Sequence, residues 1–84
     1  MIETPTFLRD VAQSGMSEDE HDRIVRQIAK TPLRGDIIPG TGGARKVRFA
    51  GRGKGKSGGY RVVTYFAGDD VPTLLLVLIN KGER

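Results

Sequence analysis

The chain has no cysteine and no tryptophan, and it has a single histidine. Without cysteine there is no disulfide framework and no thiolate nucleophile, and one histidine cannot complete the common zinc-binding patterns. The longest apolar run, residues 74–79, is six residues, far below the roughly 20 that span a bilayer. Residues 1–15 also lack the features of a signal peptide. We therefore expect a soluble, cytoplasmic protein with no metal, no other cofactor and no membrane partner.

What the sequence does have is charge, and the charge is unevenly spread along its 84 residues. That length predicts one small domain, residues 1–84. Residues 1–30 have four basic and six acidic side chains, whereas residues 31–61 have eight basic and one acidic, a net charge of +7. Such a basic segment is typical of a surface that binds nucleic acid. The alternative is a solvated surface that keeps the protein soluble.

Two helices are predicted in the first third of the chain. Thr4 precedes a proline, a pattern typical of a helix N-terminus, and Gly15 can end that helix, which covers residues 5–13. Ser17, with a glutamate three residues later, predicts a capping box at the start of a second helix over residues 18–30. The short turn between the two helices predicts an antiparallel helical hairpin.

Strands are predicted in the rest of the chain. Residues 46–49 alternate basic and apolar side chains, which is typical of a strand with one buried face. Residues 60–67 and 73–79 follow as strands, separated by a turn at residues 68–70, and Ile2 can begin a short strand. Helices followed by an antiparallel meander predict an α+β domain in which the N-terminal helical hairpin packs on a small antiparallel sheet.

The last of these strands is apolar on both faces. A strand of this kind needs cover on both sides. The helical hairpin can cover one face only, so we expect another element or another chain to cover the second face.

Few side chains are suited to catalysis. We interpret His21 as a packing residue near the apolar face of the second helix. Asp69 and Asp70 indicate a turn rather than a metal site. What remains is a set of cations on two predicted strands, in the loop between them and at the end of the third: Lys46, Arg48, Arg61, Lys54, Lys56 and Lys81.

These cations suit phosphodiester chemistry if Lys46, Arg48 and Arg61 share one face of the sheet. Guanidinium groups can hold a phosphate and stabilise the charge that develops in a pentavalent transition state. Crowded like charges lower the pKa of a lysine, and a neutral amine can accept a proton from a 2′-hydroxyl. This would cleave RNA without a metal ion, leaving a 2′,3′-cyclic phosphate and a 5′-hydroxyl. The alternative is that the same cations only bind phosphate.

Three glycine-containing motifs occur in order along the chain. They are Pro32-x-x-Gly35-Asp36, Gly40-Thr41-Gly42-Gly43-x-Arg45-Lys46-Val47-Arg48, and Gly53-Lys54-Gly55-Lys56-x-Gly58-Gly59-Tyr60-Arg61. Over residues 2–83 the chain resembles the RelE/ParE superfamily of toxins from type II toxin–antitoxin systems, most closely the HigB-like branch. The resemblance implies a RelE-like fold, two helices on a twisted antiparallel sheet. It also implies a ribosome-dependent mRNA interferase, a metal-independent endoribonuclease that cleaves mRNA by 2′-hydroxyl attack and inhibits translation.

The resemblance also implies site residues and partners. The implied catalytic residues are Lys46, Arg48, Arg61 and Lys81. The implied RNA-binding residues are Arg45, Arg52, Lys54, Lys56 and Tyr60. The implied partners are a cognate helix-turn-helix antitoxin, mRNA and the ribosome, and operator DNA through the antitoxin.

The sequence departs from the family pattern near its end. Gly82 stands where some RelE members supply a further catalytic arginine, and the C-terminal helix with which the family usually continues is missing from the sequence. That helix would suit the uncovered face of the last strand. Two alternatives therefore stay open: a ParE-like, non-enzymatic inhibitor of DNA gyrase, and a truncated, inactive toxin that binds only antitoxin and operator. The glycine motifs favour the ribonuclease over the gyrase inhibitor.

Overall fold

The computed structural model describes residues 1–50 and 59–80. Its elements are, in chain order, β1 (Ile2–Glu3), α1 (Pro5–Ser14), α2 (Glu18–Lys30), β2 (Asp36–Ile37), β3 (Ala44–Phe49), β4 (Tyr60–Tyr65) and β5 (Leu74–Asn80). The strands form one sheet in the order β1-β5-β4-β3-β2. Strands β2 to β5 pair antiparallel with their neighbours, whereas β1 pairs with β5 in parallel. The fold is therefore α+β with a mixed sheet.

Side-chain capping explains where the two helices begin. The Thr4 hydroxyl accepts a hydrogen bond from the Phe7 amide, and the Ser17 hydroxyl accepts one from the Glu20 amide, each at 3.2 Å. After α1, Gly15 has φ 76, a left-handed conformation that glycine adopts without strain. The predicted bounds of α2 are confirmed, and α1 is one residue longer than predicted.

The core lies between the helices and one face of the sheet. Phe7 of α1 and Ile24 and Ile28 of α2 are at most 1% exposed. They pack in one cluster with sheet residues, which are Val47, Phe49, Tyr60, Val62, Leu75 and Leu78. The predicted alternation of β3, with Val47 and Phe49 inward, is confirmed. Full burial of each large apolar side chain stabilises the fold by about 1.5–3 kcal/mol before entropy is counted.

The outer edge of β5 is completed by the start of the chain. Beside the two residues of β5 that pair with β1, the Thr4 hydroxyl shares its one hydrogen between the Leu75 and Leu76 carbonyls, at 2.8 and 3.2 Å, and the Asp10 carboxylate accepts from the Leu78 amide at 3.1 Å. Open sheet edges tend to pair with other chains. These two side chains, on and beside α1, occupy hydrogen-bonding groups that such pairing would use.

Two features of the sheet differ from the predicted antiparallel meander. β1 pairs with β5 in parallel, and the Ile2 amide donates to the Thr73 carbonyl at 2.8 Å. Parallel strands need a long connection, and the chain between β1 and β5 includes both helices. β2 adds an edge strand that was not predicted, since two residues are too few to show a periodicity. The turn at Asp69 and Asp70 is confirmed, and the strand before it ends two residues earlier than predicted.

Neither of the helices described for this chain is long and apolar enough to cross a membrane.

Candidate nucleic-acid interface

Three of the predicted catalytic residues lie on the sheet face opposite the helices. In the β3–β4 ladder, Arg48 is directly across from Arg61, and Lys46 is across from Val63. Opposite residues of an antiparallel pair share a face, with Cβ atoms about 4.5–5.5 Å apart. Lys46 lies two residues, about 7 Å, along the strand from Arg48. We call Lys46, Arg48 and Arg61 the cation cluster.

The cation cluster is partly exposed to solvent on the side away from the core. Arg48 is exposed, and Lys46 and Arg61 are half-buried. Both helices contribute to the core on the other face, so neither separates the cluster from a ligand. We call this side of the sheet the open face.

Arg61 occupies the centre of the open face. It lies between Arg48 of β3 and Ile79 of β5. Its Nε is buried and has no hydrogen-bond partner among the residues described. A buried guanidinium nitrogen without an acceptor costs free energy.

Within residues 1–50 and 59–80, no carboxylate forms an ion pair with a member of the cation cluster. The ion pair found there joins His21 to Glu3, on the helix side of the molecule. The carboxylate closest by register is Asp36 of β2, which is opposite Lys46 and exposed. Like charges directly across a strand pair destabilise the sheet, so an anion between Arg48 and Arg61 would relieve that repulsion.

Tyr60 lies on the opposite face, which corrects its expected role in RNA binding. Its side chain is 3% exposed, and its hydroxyl donates a hydrogen bond to Glu20, itself 6% exposed. Burial, then the negative charge and the hydrogen bond of Glu20, raise the pKa of Tyr60 above its ordinary value of 10.0. The ring is enclosed in the core and cannot stack on a base.

Arg45 also points away from the cation cluster. In the β3–β4 ladder it is opposite Thr64, which is buried on the helix side of the sheet. One guanidinium nitrogen of Arg45 donates to the Gly35 carbonyl at 3.2 Å. RNA that touches Arg45 is therefore on the other side of the sheet from RNA held by Arg48 and Arg61.

Four of the predicted site residues lie outside the described residues: Arg52, Lys54, Lys56 and Lys81.

Helix α2 fixes both ends of the connection between β3 and β4. The Arg23 guanidinium donates to the Ala50 carbonyl at 3.0 Å, one residue after β3. The bond between Glu20 and Tyr60 holds the first residue of β4. Because Arg61 follows Tyr60, these contacts set where Arg61 enters the open face. The sequence pattern does not indicate this role of Glu20, since the capping box alone accounts for a glutamate at that position.

Gly59 allows β4 to start close to β3. A Cβ at this position would lie 2.4 Å from the Phe49 carbonyl oxygen, far inside contact distance. Phe49 and Tyr60 face each other in the ladder. The glycine directly before Tyr60 and Arg61 is therefore required for the strand pairing that brings Arg61 opposite Arg48.

The Gly40-Thr41-Gly42-Gly43 motif forms the turn between β2 and β3. The Thr41 hydroxyl donates to the Ile38 carbonyl at 2.6 Å and accepts from the Ala44 amide at 3.0 Å. Gly42 and Gly43 have φ values of 77 and 130, which favour glycine. The turn places β2 beside β3, so this motif shapes the edge of the open face.

The contacts of the single histidine, His21, are those of a packing residue. His21 is hydrogen-bonded to Glu3, and its ring centroid lies 6.1 Å from that of Phe7. It joins α2 to β1 and is half-buried, as the packing interpretation predicted. Within the described part of the chain, no group of three or more acidic or histidine side chains is arranged to hold a metal ion.

The chain matches no protein-family model. Any functional assignment therefore depends on its sequence motifs and on the geometry of the cation cluster.

Proposed function

We propose that this chain is the toxin component of a type II toxin–antitoxin system, a RelE/ParE superfamily member of the HigB-like branch. In this proposal it is a ribosome-dependent, metal-independent endoribonuclease that cleaves mRNA and inhibits translation. The observation that carries the proposal is the position of Lys46, Arg48 and Arg61 together on one open face. The three glycine motifs and the order of two helices before a β3–β4–β5 meander support it.

The scissile phosphate is proposed to bind between Arg48 and Arg61. The 2′-hydroxyl oxygen attacks the adjacent phosphorus and gives its proton to a base of the cluster. The bond from phosphorus to the 5′-oxygen breaks, and that oxygen takes up a proton. The products are a 2′,3′-cyclic phosphate and a 5′-hydroxyl, so no external reactant is needed.

The roles of the cluster follow from its chemistry. Arg61 clamps the phosphate through its guanidinium group, which donates hydrogen bonds to phosphate oxygens. Lys46 and Arg48 supply proton transfer and positive charge. Charge is concentrated on the phosphate oxygens in the pentavalent transition state, and loss of one positioned donor in such a site typically costs about 10²–10³ in rate.

The partners in this proposal are those of the family that the motifs resemble. They are mRNA and the ribosome, a cognate helix-turn-helix antitoxin, and operator DNA through the antitoxin, all in the cytoplasm. The net charge of +7 over residues 31–61 supports a polyanionic partner.

The proposal is tested by mapping mRNA ends in cells that express the wild-type chain, Arg61→Ala or Arg26→Ala. Arg26 is exposed on α2, away from the open face, so it is a matched control for the loss of one arginine. We expect new mRNA ends with the wild type and Arg26→Ala, and at least about a hundredfold fewer with Arg61→Ala.

Three outcomes would contradict this assignment. Cleavage that persists in Arg61→Ala would remove Arg61 from the site. Intact mRNA together with inhibited DNA supercoiling would instead indicate the gyrase inhibitor. Normal growth and intact mRNA on expression of the wild-type chain would indicate the inactive protein.

A further inference from the structure

Tyr65 lies on the open face with the cation cluster. It is four residues after Arg61 on β4, and residues of even spacing on a strand point to the same side. In the ladder it is opposite Ala44 of β3. Ala44, Lys46 and Arg48 are at alternate positions of β3 and therefore lie on the same face of the sheet. The register of β4 with β3 is regular along its whole length, so this placement does not depend on a bulge.

Tyr65 is set apart from the other aromatic residues of the sheet. Phe49 and Tyr60 belong to the buried core cluster on the helix side, at 5% and 3% exposure. Tyr65 is partly exposed. It is the one aromatic side chain of β3, β4 and β5 that shares a face with the cations.

The Tyr65 ring lies beside the turn between β2 and β3. A Cβ built on Gly43 would lie 3.4 Å from Cε1 of the ring, at the edge of ordinary van der Waals contact. The Gly43 φ of 130 also favours glycine.

The spacing along β4 suits a single strand of RNA. Arg61 and Tyr65 are about 13 Å apart at 3.3 Å per residue, and Lys46, opposite Val63, lies at the level between them. A stacked strand that rises 3.4 Å per nucleotide covers that distance in about four nucleotides, and an extended strand in fewer. Sheets that bind single-stranded RNA use exposed aromatic side chains in this way, stacking them on bases.

We propose that Tyr65 is a base-stacking residue, which binds a nucleotide flanking the phosphate held by Arg48 and Arg61. The inference rests on the proposed function, because it requires RNA on the cation cluster. It adds a contact to the bases of the substrate, whereas the cations contact its backbone.

The test compares binding of two oligomers of equal length. One is single-stranded RNA with 2′-O-methyl groups, which cannot be cleaved, and the other is an abasic ribose-phosphate chain. Tyr65→Leu keeps apolar bulk and removes the aromatic face, whereas Tyr65→Phe keeps the ring. We expect Tyr65→Leu to weaken RNA binding by about five- to a hundredfold, Tyr65→Phe to bind RNA like the wild type, and all three proteins to bind the abasic chain equally.

A control separates this inference from the proposed function. Arg61→Ala is expected to weaken binding of both oligomers. If Arg61→Ala does so and Tyr65→Leu binds RNA as tightly as the wild type, base stacking is overturned and the proposed function stands. If Arg61→Ala changes neither affinity, both are overturned.

A second measurement avoids any change at Tyr65. The chain has two tyrosines and no tryptophan, and Tyr60 is enclosed in the core, so in the wild type the one tyrosine on which an RNA on the open face can stack is Tyr65. We expect the RNA to quench the tyrosine fluorescence of the wild type and the abasic chain to leave it unchanged. An equal signal with both oligomers would overturn the inference.

Discussion

The two faces of the sheet are built by the same strands and differ in what fills them. On β4, Val62 and Thr64 are fully buried against the core, whereas Arg61 and Tyr65, at alternate positions, are partly exposed. The helix face is closed by apolar side chains from α1 and α2. The open face has three cations without a described carboxylate partner. The buried core is therefore on one face, and on the other the described residues leave cations partly exposed.

The largest change in stability is expected for a substitution on α1. Phe7 is fully buried, and the next residue, Leu8, is 45% exposed. Phe7→Ala is expected to lower the free energy of unfolding by about 3–5 kcal/mol, because it removes a large side chain and leaves a cavity. Leu8→Ala is the matched control and should cost less than about 1 kcal/mol. Urea denaturation measures both, and equal losses would refute the contrast.

The next largest change in stability is expected for the buried, hydrogen-bonded pair Tyr60 and Glu20 on the helix side of the sheet. Tyr60→Phe removes the hydroxyl that donates to Glu20, and it leaves a buried carboxylate short of one partner. We expect a loss of about 1–3 kcal/mol in the free energy of unfolding. Tyr65→Phe, on the open face, is the control and should change it by less than about 0.5 kcal/mol. A neutral effect of Tyr60→Phe would show that the pair does not hold α2 to β4.

The same pair predicts a pH dependence. The folded protein raises the pKa of Tyr60 above 10.0, so the folded state holds that proton more tightly than the unfolded state does. The stabilisation is fully present below pH 10 and is lost as the pH rises through the folded pKa. We expect stability to fall above pH 10 in the wild type and less steeply in Tyr60→Phe. Denaturation curves over this alkaline range measure the difference, and parallel curves would contradict it.

The smallest effect on stability is expected on the open face. Arg48→Ala removes one of two like charges that face each other across β3 and β4. We expect the free energy of unfolding to change by at most about 0.5 kcal/mol, toward greater stability. RNA affinity should fall in the same variant, with a weaker dependence on salt concentration. A large loss of stability would mean that Arg48 is part of the fold rather than of a binding site.

The sequence was informative where the signal is local. Caps at Thr4 and Ser17 and the glycine after α1 set the helix bounds because each depends on a few neighbouring residues. The alternation along β3 distinguishes the buried Val47 and Phe49 from Lys46 and Arg48, so this half of the site is predictable from the sequence alone.

The remainder depends on contacts between distant parts of the chain. The parallel pairing of β1 with β5 and the bond from Tyr60 to Glu20 join residues far apart in sequence, and no local pattern encodes them. For Tyr60 a signal did exist, since adjacent strand residues point to opposite faces and Arg61 was already assigned to the site. The same alternation would have selected Tyr65.

Thr4 links the start of a helix to the far end of the chain. Its hydroxyl caps α1 and also donates to the carbonyl of Leu75, a residue 71 positions away. The chain entropy lost in closing such a loop rises only slowly with length, by about 0.6 kcal/mol per doubling, but contacts this distant in sequence slow folding. The bond that the Thr4 hydroxyl donates is therefore made only once β5 has arrived, and we expect it to form later on the folding pathway than the local cap of α1.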